Sequence, residues 1–180
     1  RRDAAVPGDD IWITGELGAP DVALALLQGR LPHDAQLLAA TRPALEAPQP
    51  PWRFAQRLGG VAHAALDISD GLAQDLGHIL RASGCGATVY YAKLPIHPGV
   101  ASLAPSVQHH AVLAGGDVYQ LCFTAPSSQR ERLHTMANEE GVPLVRVGVI
   151  TAEPGLRILD DNGKQIILEN AGFDHFGDRA

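Results

Sequence analysis

Along the chain, apolar positions recur with a period of two in some stretches and near 3.6 in others, which predicts mixed α and β structure. "DIWITGEL" predicts a strand entered from the turn "VPGD". From Asp21 to Gln28, Val22, Ala25, Leu26 and Leu27 fall in helical register and the pattern stops at Gly29, a residue suited to the left-handed end of a helix. "VAHAALDI" predicts a second strand, followed by a helix with Leu72, Leu76, Ile79 and Leu80 on one face that ends in "SGCG". "ATVYYAKL" and "PLVRVGVI" predict further strands, and "DVYQLCFT" alternates Tyr119, Leu121 and Phe123 against Val118, Gln120 and Cys122 as a half-buried strand does. A short helical pattern lies between Pro105 and Ala114. A longer one has Ser127 or Ser128 as its cap, Leu133 and Met136 on its face and Gly141 as its stop. "LRILDDNGKQIIL" predicts a hairpin closed near Asn162-Gly163. "TRPALEAPQPPWR", rich in proline, predicts an ordered crossing loop, because proline lacks the N–H that regular elements need.

These elements predict an α+β fold, a mixed β-sheet of roughly five to seven strands covered by helices, with residues 1–180 as a single domain. At 180 residues, 46% hydrophobic and 19% charged, the chain can bury a real core and is not expected to be disordered. A net charge of -6, with no run of lysine and arginine interleaved with aromatics, argues against a nucleic-acid partner. The longest apolar stretches fall short of the roughly 20 residues that span a bilayer, and no secretory signal pattern opens the chain. A cytoplasmic protein away from membranes is expected. Cys85 and Cys122 are too few and too far apart for a disulfide framework or a zinc site and read as small buried hydrophobes. The chain opens "RRDAAVPGDD" without methionine, and Met136 is its only one, so a piece of a longer protein is expected.

Candidate chemistry concentrates at strand ends and glycine-rich turns. "AALDISDGLAQDLGHIL" ends an apolar strand in Asp67, Ser69 and Asp70 just where a helix starts. A capped helix with one solvated aspartate is one account, since Ser or Asp satisfies the first N–H groups and complements the helix dipole. The other is a magnesium site. Asp67 and Asp70 offer two hard oxygen ligands close together, as magnesium on a polyphosphate requires, and the hydroxyl and N–H of Ser69 would face a phosphate oxygen at the helix N-terminus. In "LAGGDVYQLCFT", Gly115-Gly116 permits close approach of a backbone to a ligand with Asp117 projecting beside it, or simply makes a tight helix-to-strand turn. The tail "NAGFDHFGD" flanks Asp174 and His175 with Phe173 and Phe176 and reads as a segment pinned by two aromatics. No phosphate-loop, dinucleotide, zinc-protease, nucleophile-elbow or EF-hand pattern is present.

"LDISDGLAQDLGHIL", "LAGGDVYQLCFT" and "GFDHF", in this order and spacing, resemble the C-terminal half of the thiamine-monophosphate kinase family. That family belongs to the superfamily of aminoimidazole ribonucleotide synthetase and selenophosphate synthetase. The resemblance covers essentially the whole chain. It implies the superfamily's C-terminal domain fold and an ATP-dependent kinase converting thiamine monophosphate to thiamine diphosphate, with magnesium as cofactor. By the same resemblance, Asp67 and Asp70 bind magnesium, Ser69 contacts ATP, and Asp117 and Phe173 lie at the substrate. The physical chemistry agrees, since phosphoryl transfer between anionic groups depends on positioning and charge neutralisation. Two departures stand out: "GGDVYQL" replaces the family's usual "GGEDYEL", and Phe173 stands where a Tyr is usual. The family's N-terminal half, which supplies further magnesium-binding aspartates, most nucleotide contacts and the dimer interface, is absent from this chain, so the chain alone is expected to be inactive. The alternatives are a catalytically degenerate binding or regulatory relative, and another ATP-using superfamily member with a different substrate.

Overall fold

The computed structural model describes residues 1–167. Its centre is a six-stranded mixed sheet in the order β2-β4-β1-β5-β3-β6. In chain order the strands are β1 (Asp10–Thr14), β2 (Ala64–Asp67), β3 (Gly86–Tyr90), β4 (Leu121–Ala125), β5 (Leu144–Thr151) and β6 (Gly155–Leu159). The β3–β6 pair is parallel and the other four are antiparallel. Seven α-helices accompany them: α1 (Ala19–Leu27), α2 (Ala35–Glu46), α3 (Trp52–Arg57), α4 (Leu72–Ser83), α5 (Pro98–Ala101), α6 (Pro105–Leu113) and α7 (Arg130–Glu140).

Strand β1 explains why two layers of helix are needed. All five of its residues are buried, and their side chains alternate between two separate cores, as a pleat requires. Ile11 and Ile13 enter a core shared with Leu72, Leu76 and Ile79 of α4, Val22 of α1 and Leu113 of α6. Trp12 enters the opposite core with Phe54 of α3, Phe123 of β4 and Leu133 and Met136 of α7. There Trp12 stacks on Phe123 at 6.4 Å between ring centroids, and Phe54 tilts against Phe123 at 6.0 Å. Each fully buried Leu or Ile contributes about 1.5–3 kcal/mol, so the α4 face that the 3.6 period picks out is a principal anchor of the sheet. Gly84, at φ 66, closes α4 as its C-cap. Both cysteines are buried and unpaired, and burial pushes the Cys122 thiol up to about 12.

The observed elements depart from the expected ones in four places. "TRPALEAPQPPWR" is not a loop throughout: its first half completes α2, with Pro43 inside the helix, and α3 begins at Trp52. Pro43 and the residue one turn earlier, Ala39, are both exposed, so the carbonyl that the proline leaves unpaired faces water and the helix tolerates it. Asp34 caps α2 by accepting the Leu37 N–H at 2.9 Å. Neither Ser127 nor Ser128 caps α7: a 3-10 turn at Ser127–Gln129 leads into it instead, with no side-chain cap. The third strand ends at Tyr90, and Tyr91–Lys93 form a 3-10 turn. The turn at Asn162-Gly163 is present, returning through the Leu159–Gln165 bridge, and "DVYQLCFT" becomes strand only from Leu121.

Candidate functional site

Strand β2 ends with Asp67 opposite Leu121 of β4. Past that point the two chains stay laced together. The Ile68 N–H donates to the Gln120 carbonyl at 2.8 Å, the Tyr119 N–H to the Ile68 carbonyl at 2.8 Å, and the Asp117 N–H to the Ser69 carbonyl at 2.9 Å. Following these bonds forces Asp117 and Tyr119 into the left-handed region, at φ 59 and 53. That conformation costs about 1–3 kcal/mol per non-glycine residue and persists only where neighbours impose it. Regular strand is therefore lost over Asp117–Gln120, and Asp117 and Tyr119 turn to the exposed side while Val118 is buried.

The glycines make this closeness possible. A Cβ on Gly71, whose φ is 109, would lie 2.7 Å from the Ala114 carbonyl oxygen. One on Gly116 would strike the Ser69 carbonyl, and one on Gly115 the Ala111 carbonyl and the Asp21 side chain. Gly115-Gly116 thus lets two backbones meet, and the tight turn and the projecting Asp117 are features of the same arrangement.

Asp67 and Asp117 are exposed, and Ser69 and Asp70 half-buried. The Tyr119 phenol donates to Asp117 Oδ1 at 3.1 Å. The hydrogen bond to Asp117 raises the Tyr119 pKa most, followed by the charge of Asp117, burial, and the charges of Asp67 and Asp70. Three of the residues singled out in the sequence, Asp67, Asp70 and Asp117, therefore act on one point. Among the described residues no lysine, arginine or histidine forms an ion pair with Asp67 or Asp117. Hard carboxylate oxygens at a water-accessible loop junction, uncompensated by protein cations, suit magnesium, which keeps several waters and takes one or two protein carboxylates.

Asp75 is the buried neighbour of this junction that the sequence reading missed. It is 4% exposed, and its Oδ2 accepts both the Ser69 N–H and the Asp70 N–H at 2.9 Å. Burial raises its pKa most, opposed by those two hydrogen bonds. Two expectations change as a result. Helix α4 starts from Gly71 with no side-chain cap, so neither Ser69 nor Asp70 is a cap; and the Ser69 N–H is occupied, which leaves its hydroxyl for a ligand. The signal was available, because Asp75 falls on the apolar face between Leu72 and Leu76, where a carboxylate requires partners. Asp70, Asp75 and His78 bring ligand atoms within 4.8 Å of one another. Phe173 lies outside the described residues.

Residues 6–161 match the family model described as "AIR synthase related protein, C-terminal domain". The thiamine-monophosphate kinase of Escherichia coli is 38% identical over 181 residues, covering 97% of this chain and 54% of that protein. That of Haemophilus influenzae is 34% identical over 180 residues, covering 97% and 55%. The crystal structure of the thiamine-monophosphate kinase from Stenotrophomonas maltophilia superposes with a TM-score of 0.82 at 38% identity, over 92% of this chain and 54% of that one. A structure of AaThiL complexed with AMPPCP and TMP superposes at 0.75 with 26% identity, over 97% and 53%. The chain spans about half the length of the curated relatives it matches. No helix of the described residues is long and apolar enough to cross a membrane. With the six-stranded mixed sheet and seven helices of its described residues and this match from residue 6 to residue 161, the chain belongs to the AIR synthase-related family as a C-terminal domain, and it resembles the C-terminal half of the thiamine-monophosphate kinases.

Proposed function

We propose that the complete protein containing this chain is an ATP- and magnesium-dependent kinase that phosphorylates thiamine monophosphate to thiamine diphosphate. The observation that carries this reading is the lacing of Ile68–Ser69 to Asp117–Gln120, which sets Asp117 against the β2–α4 turn that carries Asp67 and Asp70. The names of the relatives support it, as does the AMPPCP and TMP complex of one of them. Asp67 and Asp70 would hold the magnesium ion, which neutralises charge on the transferring phosphoryl group. The Ser69 hydroxyl would contact ATP, and Asp117 with Phe173 would face the thiamine monophosphate. An N-terminal half would supply the remaining nucleotide contacts and the homodimer interface, so the present chain alone would be inactive, and the protein would work in the cytoplasm.

A test is to incubate the complete protein with thiamine monophosphate, ATP and magnesium and to quantify thiamine diphosphate by chromatography. Product that requires all three supports the reading, and no product with all three present refutes it. A second reading, a catalytically degenerate binding relative, is favoured by one observation. At the two positions where the resembled family carries acids after Asp117, Val118 is buried and Gln120 is engaged in hydrogen bonds to other protein groups. Nucleotide binding without turnover in the same assay would select it.

A further inference from the structure

The two edges of the sheet are finished differently. At the β6 edge the chain covers itself: residues past the Asn162-Gly163 turn come back beside β6, and the Ile166 N–H donates to the Ile158 carbonyl at 2.8 Å. At the other edge, among the described residues, no strand lies outside β2. The sequence of β2, Ala64-Ala65-Leu66-Asp67, holds no lysine or proline, the residues that guard an edge against pairing with further chain. Two hydrogen bonds tell its sides apart. The Ile68 N–H points to β4 and donates to the Gln120 carbonyl, whereas the Ala65 N–H points outward and donates to the Arg1 carbonyl at 2.7 Å. Hydrogen-bonding sides alternate along a strand, so the Asp67 N–H points outward as well.

Beside this edge runs a groove of about 510 Å³ lined by Arg1, Leu58, Gly60, Ala62, Ala65 and Asp67. Past Arg1 the chain leaves it, and the Ala5 N–H donates to Ser83 Oγ at 3.1 Å, at the C-terminal end of α4. That is the end of the sheet at which β2 begins: Ala64 is opposite Thr124, Asp10 opposite both Ala125 and Val149, and Gly86, just after α4, opposite Thr151. The chain therefore passes β2 from its Asp67 end to its Ala64 end, antiparallel to it.

We propose that the free edge of β2 is a docking strand for the N-terminal half: the segment just before Arg1 in the complete protein lies in this groove and pairs antiparallel with β2. The inference rests on the N-terminal half named in the reading above and not on that reading's substrate. With Arg1 opposite Ala65, the residue two places before Arg1 falls opposite Asp67 and accepts its N–H. Four residues of strand span about 13 Å, so the pairing carries the N-terminal half up to Asp67. The two halves then meet beside the β2–α4 acids through a backbone ladder.

The test is hydrogen exchange on the complete protein, without nucleotide or magnesium, resolved to single amides. The Asp67 amide is expected to exchange about a hundredfold or more slower than in an unfolded peptide of the same sequence, as a paired strand does and a bare edge does not. Ala65→Pro removes the donor to Arg1 on the outward side only, where a sheet tolerates proline. In that variant exchange at Asp67 is expected to quicken about tenfold or more, while the Leu66 and Ile68 amides stay slow. Cleavage by trypsin after the exposed Arg1 and Arg2 is expected to quicken severalfold. If Ala65→Pro does not fold, proline at the residue two places before Arg1 is read in the same way. An Asp67 amide that exchanges at the unfolded rate in the unsubstituted protein overturns the proposal. So does a slow Asp67 amide that the proline leaves slow, because some other surface then covers the edge. No kinase assay enters the test, so failure of the substrate reading and failure of this pairing are told apart.

Discussion

Two clusters of acid and backbone, at different places on the same sheet, have opposite electrostatic logic. At the start of β1, Asp10 is 2% exposed and is matched within the chain. Arg130 donates to it through Nε at 2.6 Å and Nη2 at 2.8 Å, and Arg146 through Nη1 at 3.1 Å. Burial would push the Asp10 pKa up, yet the hydrogen bonds from the two arginines outweigh it and hold the carboxyl below 3.8. At the β2–α4 junction, Asp67 and Asp117 have no ion-pair partner among the described residues, and the backbone beside them is strained. A charge balanced inside the fold serves stability. Exposed acids without such a match, as Asp67 and Asp117 are among the described residues, do not, and their arrangement makes sense when an external cation completes it.

Exchanging carboxylate for amide at each cluster separates the two roles. The largest effect is expected for Asp67→Asn in the complete protein: a fall in kcat of about a hundredfold or more, the scale of removing one electrostatic contact to the transition state, with the melting temperature unchanged. Next, Gly71→Ala sets a Cβ against the Ala114 backbone at a φ of 109. It should cost about 2–4 kcal/mol in denaturant unfolding. Asp10→Asn should cost about 1.5–3 kcal/mol, the worth of hydrogen bonds to a charged group, and leave KM for both substrates unchanged. Its pH signature follows from the lowered pKa: the stabilisation is complete above 3.8, is lost as pH falls through the lower folded value, and is missing from the variant.

The smallest effect is expected at Asp75. Its pKa is raised, so the ionised carboxylate burdens the fold above that raised value, and the burden fades as pH falls through it. Asp75→Asn keeps an oxygen to accept the Ser69 and Asp70 N–H groups. It should shift stability at neutral pH by less than about 1 kcal/mol, and a pH series of thermal melts should show the wild-type dependence flattened. A loss of several kcal/mol would mean that the charge itself holds the junction.

Much of this was legible in the sequence because it depends on local periodicity. The α4 face of Leu72, Leu76, Ile79 and Leu80 is buried as its spacing requires, and Gly29, Gly84 and Gly141 adopt positive φ at or beside helix ends. Asp67, Asp70 and Asp117 were readable as candidates because carboxylates at a strand end and after paired glycines lack an ordinary packing role. What escaped depends on contacts distant in sequence. That Asp117–Gln120 leaves the strand conformation is dictated by Ile68 and Ser69, about fifty residues earlier. The hydrogen bonds of the Gln120 side chain depend on Thr14 and Gln49. The helix through Pro43 depends on which way the proline ring faces, and no local propensity reveals that.

The central claim is that the β2–α4 acids bind a divalent cation together with nucleotide. Its most direct test is calorimetric titration of a non-hydrolysable ATP analogue into the complete protein, with and without magnesium, for the wild type and for Asp67→Asn combined with Asp70→Asn. The account predicts tight, magnesium-dependent binding to the wild type, and loss of the magnesium dependence in the double variant with its fold intact. Equal magnesium-dependent binding by both proteins would contradict it.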